Sequence, residues 1–96
     1  MFVLLVKYKC KSGCREAYFD TIRNNHIDVL SRAEEGCIRY EYSYGIADDE
    51  LILTEVWRDA QAIDFHKNSE HFAKLGDLKT EYVENTEIMK FSAEQV

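Results

Sequence analysis

The chain lacks any apolar run near the roughly 20 residues that a membrane-crossing helix needs. Its opening MFVLLVKYKC is too short and too quickly charged for a secretory signal, so the cytoplasm is the expected compartment. It also lacks a basic surface. Lys and Arg total 12 against 18 Asp and Glu, a formal net charge of −6, and without clustered cations little can neutralise a phosphate backbone. Neither a nucleic-acid nor a membrane partner is expected. Cysteine is scarce, with three residues and no CxxC spacing, which predicts reduced thiols. Cys10 and Cys14 lie four apart around Gly13 and offer a two-ligand fragment, short of the roughly four ligands of a structural zinc site.

What is present is an ordinary globular balance: 96 residues, 46% hydrophobic and 31% charged. That length supports one domain, residues 1–96, with a core burying about 60–65% of the unfolded chain's surface. The organising stretch is Leu51 to Leu75, LILTEVWRDAQAIDFHKNSEHFAKL, which holds the only Trp and two of the three His residues. Leu51 to Arg58 is rich in Leu, Ile, Thr, Val and Trp and free of Gly and Pro, so it reads as a strand with Glu55 and Trp57 on one face. Asp59 can cap a short helix carrying Ile63, Phe65 and His66, and Ser69 can cap the next. His66 then ends one helix and His71 starts another, so both imidazoles can lie near one mouth.

The remaining chain is read by its periodicity. Phe2 to Cys10 alternates as a first strand, and Lys11-Ser12-Gly13 turns it. Cys14 to Ala33 has helical spacing, with Phe19, Ile22, His26, Val29, Leu30 and Ala33 on an apolar stripe. His26 within that stripe is either a satisfied core histidine or a pocket acid or base. Gly36 after Glu34-Glu35 suits a left-handed helix terminus. Cys37 to Ile46 is a strand whose Tyr40, Tyr42 and Tyr44 share a face, as core, subunit interface or substrate platform. Ala47 to Glu50 turns it back as a hairpin with the Leu51 strand. After Ser69 a helix runs to about Glu84, with Phe72, Leu75, Leu78 and Tyr82 inward, followed by a short strand at Glu87–Phe91 and a tail at Ser92–Val96.

This order, strand, helix, strand, strand, helix, strand, predicts an α+β, ferredoxin-like split-βαβ fold: a four-stranded antiparallel sheet with helices on one face. Two helices cannot serve Tyr8, the Tyr40 set and several Leu residues together, so the open face is expected to meet a second copy as a homodimer.

Several motifs resemble the antibiotic biosynthesis monooxygenase family of dimeric α+β barrels. They are the turn glycine Gly13, Glu35-Gly36-Cys37 before a strand, Glu55-Val56-Trp57, and His66-Lys67-Asn68-Ser69-Glu70-His71-Phe72. The resemblance implies an oxygenase that uses no metal, flavin or haem and lets an electron-rich phenol or hydroquinone react directly with oxygen. On that reading Trp57 and Phe72, with Tyr40, Phe65 and Tyr82, form the substrate-binding walls. His26, His66 or His71 accepts a proton, and Glu55 orients it. Each of these roles stands beside a structural one: core packing for Trp57, a helix-start contact for His71.

A second branch of the family isomerises the phosphorylated autoinducer-2 signal. The Asn25-His26 pair, Glu34-Glu35-Gly36, Arg39-Tyr40-Glu41 and Phe65-His66-Lys67 resemble it, with Arg39 and Lys67 as cations for phosphate. The haem-degrading branch is disfavoured, because Val6 and Gly76 stand where it carries an Asn and a haem-ligating His. A metal site is not expected: His66 and His71 are five positions apart, with no carboxylate frame evident around them. Three functions follow: a cofactor-free monooxygenase of quinol-like or polyphenolic substrates, an acid/base isomerase of a small phosphorylated carbonyl compound, or a non-catalytic ligand-binding module.

Overall fold

Period-two alternation of apolar side chains builds the sheet at the centre of the computed structural model, which describes Met1–Val96. In chain order the elements are β1 (Phe2–Cys10), α1 (Arg15–Asn24), α2 (Ile27–Arg32), β2 (Cys37–Tyr44), β3 (Glu50–Trp57), α3 (Ala60–Lys67), α4 (Glu70–Tyr82) and β4 (Val83–Ser92). The strands lie in the order β2-β3-β1-β4, and every neighbouring pair is antiparallel. This is the ferredoxin-like α+β arrangement that the element order predicts. No helix is long and apolar enough to cross a membrane.

The buried face of the sheet carries Val6, Tyr8 and Cys10 of β1 and Leu51, Leu53, Glu55 and Trp57 of β3. Tyr40 and Trp57 are among the largest fully buried side chains. The helices therefore do cover Tyr8 and Tyr40, contrary to the expectation that these tyrosines need a second copy. The opposite face carries Leu5, Met89 and Phe91, which are 37%, 55% and 49% exposed.

Three further expectations are corrected. The first concerns the single helix predicted over Cys14–Ala33, which breaks at Asn25-His26. His26 adopts a left-handed backbone, φ 57°, at the start of α2, and the Asn25 side chain donates to the Thr21 carbonyl at 2.8 Å. Two consecutive asparagines favour local side-chain bonding over helix continuation, and His tolerates the left-handed region better than most residues. The break rotates the stripe, so Ile27 and Ser31 are buried while Val29 and Leu30 lie half exposed.

The second concerns α4, which ends at Tyr82, and β4, which runs ten residues rather than five. Pairing with β1 from Phe2↔Ser92 to Cys10↔Val83 draws Glu84 and Asn85 into a strand that their own preferences would not choose. The third is Gly36, which does not adopt the left-handed conformation, since Gly13 is the glycine with positive φ. Its role is close approach: a Cβ there would lie 2.3 Å from the Ala62 Cβ.

Candidate functional site

Two predicted caps set the site's helices. Asp59 Oδ1 accepts from the Ala62 amide at 2.8 Å, and Ser69 Oγ accepts from the Phe72 amide at 3.2 Å. The Ser69 hydroxyl also donates to the His66 carbonyl at 2.6 Å, closing the turn between α3 and α4. This turn places His66 in the last turn of α3 and His71 in the first turn of α4, their rings 5.6 Å apart.

The bare Gly36 then brings a carboxylate to them. Ala62 and His66 are one helical turn apart on the same face of α3. Gly36 packs flat on Ala62, and its carbonyl accepts from the Arg58 amide at 2.9 Å. Glu34, two residues upstream, reaches the imidazoles: its Oε2 accepts from His66 Nδ1 at 2.6 Å and from His71 Nε2 at 2.7 Å. A carboxylate oxygen only accepts, so both facing nitrogens carry hydrogen. Its other oxygen, Oε1, is buried and has no partner. Glu34 was absent from the sequence-based candidates, and the supposition that no carboxylate frames His66 and His71 is overturned. Glu34 stood in the Glu34-Glu35-Gly36 motif, but nothing local marked its pairing with the imidazoles, because it meets His66 across 32 residues of chain.

His66 lines a cavity of about 200 Å³ between the sheet and α3–α4. Its ring lies 4.6 Å from that of Trp57, with Tyr40 and Phe72 edge-on at 5.8 and 5.3 Å. With Nδ1 held by Glu34, Nε2 is the nitrogen left without a protein partner. Burial is the main influence on this imidazole and lowers its proton affinity below the ordinary range, against the opposing pull of Glu34. It therefore stays neutral at neutral pH.

Glu55 also lines the cavity. Contrary to the expectation that it orients a histidine, its Oε1 accepts from Trp57 Nε1 at 3.0 Å, because alternation puts residues 55 and 57 side by side on β3. Burial raises the Glu55 carboxyl above its usual range, Trp57 opposes the shift, and the charge on Glu34 adds to it.

Of the residues singled out by sequence, Tyr40, Glu55, Trp57, His66 and Phe72 come together around this cavity, with His71 behind His66 on Glu34. Three others do not. His26 is exposed at the α1–α2 break, because the break turned it out of the apolar stripe. Phe65 precedes His66 by about 100° of helix and is 70% exposed, facing a separate groove beside Glu35 and Arg58. Tyr82 packs on Tyr18, rings 5.9 Å apart, with its hydroxyl 3.4 Å from the Thr21 hydroxyl. Arg39, considered as a phosphate cation, pairs with Glu41 on the far face of the sheet, whereas Lys67 and Lys79 do line the cavity.

Chemically, the site is a small, mostly apolar chamber with one neutral, anchored imidazole and one carboxyl. A cavity of roughly 150 Å³ admits a benzene molecule, so this one suits a substrate of one ring or a compact carbonyl compound.

Comparison with known proteins is consistent with this geometry. Residues 1–77 match the family model described as antibiotic biosynthesis monooxygenase. Among solved structures, the Pseudomonas aeruginosa protein PA3566 superposes with a TM-score of 0.86 at 26% identity, covering 98% of this chain and 94% of its own. A conserved protein of unknown function from Bacteroides thetaiotaomicron gives 0.82 at 25% identity, over 94% of each chain. A structure described as antibiotic biosynthesis monooxygenase gives 0.84 at 21% identity, over 99% of this chain and 100% of that one. No curated protein matches the sequence.

Proposed function

Because the chain belongs to the antibiotic biosynthesis monooxygenase family, we propose that it is a cofactor-independent monooxygenase that oxidises a small quinol-like or polyphenolic substrate with molecular oxygen. The observation that carries this reading is His66: buried, neutral, held at Nδ1 by Glu34 and stacked on Trp57 in an apolar cavity. In the proposed reaction Nε2 takes the phenolic proton, and Glu34 stabilises the imidazolium that forms. The electron-rich phenolate then reacts with dioxygen, while Trp57, Tyr40 and Phe72 keep water from the intermediates. Glu55, with its raised proton affinity, can hold a proton for the reduced oxygen.

In this reading two copies of the chain meet through the open sheet face, where Leu5, Met89 and Phe91 are exposed. The compartment is the cytoplasm, in keeping with three free thiols.

One observation favours a second reading. Lys67 and Lys79 at the cavity can hold a phosphate, so acid/base isomerisation of a small phosphorylated carbonyl compound uses the same His66 with Glu55. Oxygen uptake over a panel of hydroquinones by chelator-treated protein separates the two. Uptake above the autoxidation blank, reduced about 10²–10⁴-fold by His66→Ala and unchanged by His26→Ala, is the expected result. No uptake, together with anaerobic conversion of phosphorylated ketones, replaces the oxygenase by the isomerase. Ligand binding without turnover of either kind leaves a binding module.

A further inference from the structure

We propose that Glu34 Oε2, His66 Nδ1 and His71 Nε2 form a three-ligand site for a divalent ion of the zinc type, set behind the reactive imidazole, and that occupying it turns His66 off as a base. The second half rests on the monooxygenase reading; the first does not.

The three atoms lie within 4.8 Å of one another. Two imidazoles and one carboxylate are a donor set that zinc accepts while keeping a fourth position open. The side chains of Glu34 and His66 are each 5% exposed and that of His71 is 14% exposed. Two features indicate that the cluster is incomplete with protein atoms alone. Glu34 Oε1 is buried without a partner, although a buried carboxylate oxygen is normally satisfied, and an ion held by the carboxylate edge would satisfy it alongside Oε2.

The second feature is charge. No Lys or Arg pairs with Glu34: Arg32, two residues away, is engaged by Asp28, and Arg58, which lines the groove, by Asp59 and Glu35. A buried carboxyl group with no Lys or Arg beside it is a place where a bound cation is favoured. Glu34 also lines the groove formed with Gly36, Arg58, Gln61 and Phe65, which is separate from the substrate cavity and offers an ion a route to the cluster.

The geometry requires a modest opening. Metal–ligand bonds of about 2.0–2.2 Å at tetrahedral angles put donor atoms roughly 3.3–3.5 Å apart. The 2.6 and 2.7 Å contacts must therefore lengthen by about 0.7 Å, and the two imidazole nitrogens, which lie within 4.8 Å of each other, must close towards the same separation, by side-chain rotation at Glu34 and at the partly exposed His71. Zinc and its neighbours late in the divalent series bind this set more strongly than manganese or iron.

The proton count gives the functional consequence. A metal at His66 Nδ1 needs the lone pair there, so the hydrogen that now faces Glu34 is carried on Nε2 instead; at His71 the hydrogen likewise leaves Nε2, for Nδ1 or for solvent. No electron moves. His66 Nε2 then presents N–H to the cavity and cannot accept the substrate's proton.

The test is cobalt(II) titration of chelator-treated full-length protein, followed by visible absorption, with zinc competition. Expected is one ion per chain with the intense d–d bands of four- or five-coordinate cobalt, displaced by zinc. His71→Ala and the near-isosteric Glu34→Gln should each weaken binding by more than about 100-fold, the upper end of what loss of an outer-shell partner does. Thermal melts establish that both variants are folded. A six-coordinate aqua-type spectrum, thiolate charge-transfer bands from the cysteines, or binding undiminished in both variants overturns the site. In the oxygen-uptake assay, one equivalent of zinc should suppress turnover and chelator restore it; full turnover with zinc bound overturns the silencing. If the protein turns over no hydroquinone, the cobalt spectra still decide the site.

Discussion

Replacing Gly36 with alanine tests the contact on which the site hangs. The added Cβ would sit 2.3 Å from Ala62 Cβ, 3.4 Å from Ala62 Cα and 3.7 Å from Arg58 Nη2. Only the first is a clash, and it is with an atom fixed to the α3 backbone. Restoring a carbon–carbon separation of about 3.5 Å or more moves α3 away from the loop before β2 by roughly 1 Å. Such a shift takes the His66–Glu34 contact, now 2.6 Å, past the hydrogen-bond limit of about 3.2 Å. Gly36 has no positive φ, so alanine brings no backbone strain and the whole effect is steric.

Overpacking of this kind costs about 1–3 kcal/mol, and each kcal/mol lowers the melting temperature of a domain this size by about 4–8 °C. Ala62→Gly removes the clashing atom. Alone it destabilises by about 1–2 kcal/mol, from helix propensity and a lost buried methyl. In the double variant the two losses should therefore be sub-additive by at least about 1 kcal/mol. Thermal and urea unfolding of the four proteins measures this, and oxygen uptake should recover alongside. Strict additivity would refute the steric account.

Three further outcomes follow from the cavity and the open face. Glu55 has a raised folded-state proton affinity, so its contribution is intact below its ordinary pKa of about 4.3 and is lost as pH rises through the folded value. Glu55→Gln should gain stability relative to wild type across that rise, and a pH-independent difference in urea midpoints would remove the argument. His66 works in the opposite sense. Its affinity is lowered, so its contribution is intact above about 6.5 and erodes as pH falls below it; imidazole NMR should place its titration below that value. On the open face, Leu5→Glu introduces a charge beside exposed Met89 and Phe91. On the proposed interface, sedimentation should find the wild type dimeric and the variant a folded monomer, and a monomeric wild type would dismiss the interface.

The element order and the alternation of β1 and β3 were legible in the sequence, because burial on one face of a strand leaves a local period of two. The Asp59 and Ser69 caps were legible too, since a cap acts within three residues. So were the shared face of Glu55 and Trp57 and the meeting of His66 with His71. The break at Asn25-His26 was written in residues that favour side-chain bonding, yet the apolar spacing across it read as one continuous helix.

Glu34 and the role of Gly36 were decided by tertiary structure alone. A glycine that permits close approach looks the same in sequence as one that ends a helix, and a carboxylate brought to two imidazoles across more than 30 residues leaves no local pattern. The length of β4 was likewise set by its partner strand. Local chemistry shaped the elements and gathered most of the cavity's walls. The contact of Gly36 with Ala62 chose which carboxylate anchors the imidazole, because only the packed chain fixes how close two distant backbones come.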